Sequence, residues 1–154
     1  MIFMLFLGEG LIQRVQGTFY PSIHVSLGIA ILLLSVVRLA WRFTNPPPRL
    51  PNTMKSWEKT FSHITHWAFY VLMIGMPITG MMAIGPAAAE KADLLQSSVF
   101  GLFAVPVLPN VLGLAVTHGA GAFIGKLMVI LHVGAALKHQ FWDKDGILRR
   151  MSPH

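Results

Sequence analysis

The sequence predicts an all-α integral membrane protein, a helical bundle with three complete transmembrane helices and the end of a fourth. Three observations carry this expectation. Of 154 residues, 54% are hydrophobic and only 12% are Asp, Glu, Lys or Arg, about half the roughly 25% charged share of a soluble domain. The apolar residues collect in long runs; residues 64–84 hold 21 positions without a formal charge. That length crosses a ~30 Å hydrocarbon core at ~1.5 Å per helical residue. The charges cluster between and after those runs, which is the pattern of membrane topology.

The opening MIFMLFLG has seven apolar residues before Glu9, too few to span. It lacks the basic n-region and small-residue cleavage site of a signal peptide. Residues 1–8 are therefore expected to be the residual end of a first span, as if the chain started at an internal methionine. The first complete span, about residues 21–43, opens at Pro21, which suits an early helical position, and stops at Asn45-Pro46-Pro47-Pro48. The second, about 57–84, is expected to kink at Pro77 and to end at Gly85-Pro86. The third, about 110–141, has Lys126 and Lys138 as its formal charges and exceeds what a bilayer requires. Residues 1–154 are read as a single membrane domain.

Basic residues in short loops orient such a chain. Arg38, Arg42, Arg49, Lys55 and Lys59 bracket the first connection, and Lys138, Lys144, Arg149 and Arg150 occupy the tail. The opposite side has Arg14 and Lys91. The proline loop and C-terminus are thus expected to be cytoplasmic. The net charge of +6 is not gathered into a patch interleaved with aromatic residues, so no nucleic-acid partner is expected. With no cysteine, disulfides, iron–sulfur clusters, zinc–thiolate sites and C-x-x-C-H haem attachment are excluded. Phosphate-loop, dinucleotide, nucleophile-elbow and H-E-x-x-H signatures are lacking as well.

Histidines carry what chemistry remains. Ionisable groups within a membrane are costly, so each needs a partner or a metal. His118 and His132 are 14 residues apart, nearly four turns, and so share a helix face with ~21 Å between them along the axis. His24 and His118 lie at similar depth at the outer ends of their spans and suit one iron. Zinc held by two imidazoles would lack two of its four ligands, whereas haem brings four nitrogens of its own. Gly28 and Gly125 leave room for a ring. His24, His118 and His132 are read as haem-iron ligands, against the alternative of structural histidines. Arg38 is either a propionate partner or a snorkelling anchor. His139 suits a propionate or interface role, while His63 and His66 are either cofactor-binding or interfacial. Lys126 needs an acceptor, and Met73, Met76, Met81 and Met82 are expected to pack.

The segments IHVSLG with VVRLAWR, NPPPRLP, THWAFYVLMIGMPITG, FGLFAVP, and LHVGAALKH followed by DKDGILRRM together resemble the prokaryotic cytochrome b561 family. Those proteins are four-helix membrane b-type cytochromes that include superoxide oxidase. The resemblance covers nearly the whole chain and implies two b haems and electron exchange with ubiquinone in the membrane. It implies that His24 and His118 ligate the outer haem and that His132 supplies one inner ligand. The family's other inner ligand, a histidine followed by Trp near the start of the first helix, has no counterpart in this sequence. The implied function is a membrane haem oxidoreductase passing electrons from superoxide or another donor to quinone. The alternatives are a cytochrome anchor for a separate redox protein, or a truncated non-redox remnant.

Overall fold

The computed structural model describes residues 19–47, 50–52, 54–91, 98–105 and 108–146. The expected stub over 1–8, Arg14, Arg49, Arg149 and Arg150 lie outside these residues, as does the side chain of Lys91.

The first helix, Phe19–Thr44 (α1), places Pro21 in its opening turn, where a backbone N–H has no intrahelical acceptor to lose. Its end is sealed locally. The Asn45 N–H and side-chain amide and the Thr44 hydroxyl all donate to the Trp41 carbonyl, at 2.8, 3.2 and 3.0 Å. The prolines that follow cannot continue the helix.

The second helix, Ser56–Lys91 (α2), begins with half of a capping box, the Lys55 N–H donating to Glu58 Oε2 at 3.1 Å. It runs through Pro77 and does not stop at Gly85-Pro86, as the sequence suggested, but continues to Lys91. Proline removes one donor, and the three alanines after Pro86 are the best helix formers available, so propensity outweighs the break.

Past α2, Ser98–Val99 (β1) and Phe103–Ala104 (β2) form an antiparallel hairpin. Phe100 and Gly101 at its tip have φ of 49° and 74°, and Leu102 N–H donates to the Val99 carbonyl at 2.9 Å. Positive φ at both central residues is the type I′ turn that matches strand twist.

The third span, expected as one helix over about 110–141, has three parts. A 3₁₀ turn covers Val111–Val116, with Leu112 and Gly113 at φ 54° and 69°. An α-helix follows over Thr117–Lys138 (α3), then a π-helical turn over His139–Asp143 that Lys144 ends in the left-handed region. The left-handed pair at Leu112 and Gly113 interrupts the helical hydrogen-bond ladder, so α3 proper begins one residue before His118.

Among the described residues, three helical stretches are long and apolar enough to cross a membrane: Ile23–Thr44, Ser56–Ile84 and Val111–Asp143, with mean hydropathies of 2.2, 1.7 and 1.8. Their exposed side chains include Leu34, Val71 and Leu131, which in water would be an aggregation surface and in lipid are solvated. α1 and α3 each pack along α2 and barely on each other. Buried Met81, Val99 and Val105 form a cluster under the hairpin with Val25, Ile29, Ile78 and Ile84.

Fully buried Ser26 secures that arrangement, its hydroxyl oxygen accepting the Phe100 N–H at 2.6 Å. Ser26→Ala leaves that N–H without its acceptor and is expected to cost about 1–3 kcal/mol, seen as a lower unfolding midpoint in detergent. An unchanged midpoint would mean that the hairpin does not depend on Ser26.

Candidate functional site

Packing of α1 and α3 along α2 brings a histidine of each together. His24 on α1 and His118 on α3 have ring centroids 6.1 Å apart and planes at 79°. Two imidazoles on opposite sides of one metal ion, each about 2 Å from it through nitrogen, have centroids about 6 Å apart. His24 Nδ1 is buried and has no hydrogen-bond partner among the described residues, which is costly unless something else satisfies it. One turn along α1 from His24, a Cβ built on Gly28 meets nothing within 4 Å. Two facing imidazoles, an orphaned ring nitrogen and open space beside them fit a planar tetrapyrrole whose iron is held by two protein nitrogens.

His118 is held by α2. Its Nδ1 lies 2.9 Å from the Met76 carbonyl oxygen and 3.3 Å from Thr79 Oγ1. Gly80 lies directly under the ring, since a Cβ there would be 3.0 Å from His118 Cε1. Thr79 and Gly80 were not singled out by the sequence, and Met76 was expected only to pack, because a backbone carbonyl and a missing side chain leave no motif.

A second imidazole pair lies at the other end of the span. His132 is four turns along α3 from His118, and its ring centroid is 5.8 Å from that of His66 on α2, at 70°. Phe69 packs edge-on against His132 at 5.2 Å. His63, three residues before His66, is exposed, so of the two the structure turns His66 toward His132. Arg42 lies 5.7 Å from the ring centroids of both Trp67 and Tyr70, a cation–π seat that keeps a guanidinium beside this end. Arg38 is exposed.

His139 belongs to a different group. Its Nδ1 lies 2.7 Å from Asp145 and 3.1 Å from Asp143. Next to it, Lys138 Nζ bridges Glu58 at 3.0 Å and Asp143 at 2.6 Å, joining the start of α2 to the end of α3. Glu58, His139 and Asp143 place donor atoms within 4.8 Å of one another. Lys138 already supplies the positive charge these carboxylates need, so the group acts as an ion network. Lys126 is half-buried and interacts with a neighbour. Met81 packs in the cluster under the hairpin and Met76 packs its sulfur against Gly121, so both are packing residues as expected. Gly125 is buried in α3.

With this geometry in view, comparison with known proteins is informative. A family profile described as "Prokaryotic cytochrome b561" matches residues 1–154. "Cytochrome b561 homolog 2" of Escherichia coli (strain K12) is 31% identical over 141 residues, covering 85% of this chain and 69% of the relative. "Probable superoxide oxidase CybB" of Yersinia pestis is 29% identical over 149 residues, 94% and 81% of the two chains. "Cytochrome b561 homolog 1" of Escherichia coli is 25% identical over 130 residues, 84% and 73%.

Proposed function

The chain belongs to the prokaryotic cytochrome b561 family of membrane b-type haem electron-transfer proteins, and from that premise we propose that it carries electrons from a small donor at its outer face to a quinone in the membrane. The observation that carries this reading is the His24–His118 pair, 6.1 Å between ring centroids with a buried, unpartnered His24 Nδ1. A haem held there supplies one-electron chemistry, and the chain supplies its position and potential. His24 and His118 would hold the iron of an outer haem, and Gly28 would leave the space its ring needs.

His132 is the corresponding donor of an inner haem, with His66 lining the same site. Arg38 and Arg42 offer cations for propionates, and exposed His63 and the carboxylate-tied His139 mark the membrane interface. The proline loop and C-terminus are cytoplasmic in this reading, supported by Arg38, Arg42, Lys55, Lys59, Lys138 and Lys144 at that end.

Superoxide is the donor suggested by the name of the Yersinia pestis relative. The balance is then two superoxide anions oxidised to two O₂ while one ubiquinone takes two electrons and two protons to become quinol.

The test uses the purified chain in detergent. A reduced-minus-oxidised spectrum with haem-to-protein ratio comes first, then reduction by enzymatically generated superoxide with a soluble quinone as acceptor. A low-spin b-type spectrum with quinone-dependent superoxide consumption is expected. Haem that only a protein donor reduces would assign the chain to the anchor class, and no haem would overturn the reading.

A further inference from the structure

Resting on the assignment of His118 as an outer haem ligand, we propose that the Met76–Gly80 turn of α2 is a built seat for that ring, with Thr79 setting how much electron density His118 donates and Gly80 setting where the ring stands. The contact between His118 Nδ1 and the Met76 carbonyl needs a proton. A carbonyl oxygen has none, so the 2.9 Å contact between it and His118 Nδ1 is a hydrogen bond only if Nδ1 carries the hydrogen. The ring is then held as the Nδ1–H tautomer, with the Nε2 lone pair left for a metal.

Donation to a carbonyl also makes the imidazole more basic, the usual way an outer partner tunes a ligating histidine. Here that carbonyl is shared. The Thr79 hydroxyl donates to the same Met76 oxygen at 3.0 Å, while its own oxygen lies 3.3 Å from Nδ1. The hydroxyl proton draws on lone pairs that His118 would otherwise share only with the helical N–H of Gly80, so Thr79 weakens the donation.

Position is fixed from both sides. A Cβ on Gly80 would stand 3.0 Å from Cε1 and 3.3 Å from Nδ1 of His118, so any larger residue pushes the ring away from α2. Three residues along α3 from His118, Gly121 is the floor on which the Met76 sulfur sits, and a Cβ there would collide with it. The two glycines thus let α2 and α3 interlock, His118 over Gly80 and Met76 over Gly121, which sets the axial register of the ligand.

The experiment is a redox titration and an electron paramagnetic resonance spectrum of the detergent-purified full chain, comparing wild type with Thr79→Val, Thr79→Ser and Gly80→Ala. Thr79→Val is expected to lower the midpoint potential of the His118-dependent haem, because one donor competing with His118 for that carbonyl is then gone. Thr79→Ser restores the hydroxyl and should return the potential toward wild type, which a purely structural role of Thr79 would not do. Gly80→Ala should shift the low-spin g-values and add a high-spin component; if it fails to fold, the Thr79 pair carries the test. A His118-dependent haem indifferent to Thr79→Val and Gly80→Ala overturns the seat alone. A wild-type chain without low-spin haem overturns the ligand assignment together with it.

Discussion

His118→Ala is expected to abolish the outer haem: the low-spin signal assigned to the His24–His118 pair disappears, while any signal depending on His132 persists. Both donors must come from the protein, because the iron's other four positions belong to the porphyrin. His24 alone would leave at best a five-coordinate, high-spin and weakly held group. The loss should register in stability too, since a group bound at a thousandfold excess over its Kd contributes about 4 kcal/mol to the folded state. The companion variant His118→Gly separates ligand loss from misfolding. Imidazole added to the buffer should enter the vacated space and recover the low-spin spectrum. Retention of the full bis-histidine spectrum in His118→Ala would remove His118 from the site.

The second large effect is expected at the other end of α3. His132→Ala should remove the inner haem and leave the His24–His118 signal intact, so the haem-to-protein ratio falls by half. The two rings are separated by nearly four helical turns of continuous α-helix, and sites that far apart with no shared partner act almost independently. His66→Ala, by contrast, changes the environment of His132 through a ring contact of 5.8 Å. If His132→Ala leaves the ratio and spectrum unchanged, the inner assignment fails while the outer one stands.

Much of this was legible in the sequence, and the reasons differ from one feature to another. The spans were legible because a bilayer admits few alternatives to uncharged helices of about 20 residues. The end of α2 was not, because Gly85-Pro86 and the alanines behind it are opposing signals whose sum a local pattern does not give. Nor was the hairpin over 98–104, whose two-residue strands are too short to show alternation and are stabilised by the remote hydroxyl of Ser26. His24 and His118 could be matched by depth, since topology alone sets two helix ends at one level. The turning of His66 rather than His63 toward His132 depends on how α2 rotates against α3, which a three-residue spacing leaves open. The support of His118 by a carbonyl and a glycine lies in backbone geometry.

The uninterrupted α-helix between His118 and His132 has an electrical consequence. At ~1.5 Å per residue the two levels are about 21 Å apart along the axis, roughly two-thirds of a ~30 Å hydrocarbon core. With a haem at each level and the orientation proposed above, an electron passing from the outer level to the inner one would move through a large share of the transmembrane voltage. With the cytoplasmic side negative, each 100 mV opposes that transfer by about 1.6 kcal/mol, two-thirds of the ~2.3 kcal/mol for a full crossing. Such a bundle would act as a voltage-sensitive valve, its inward current throttled in a well-energised cell and released when the membrane potential collapses.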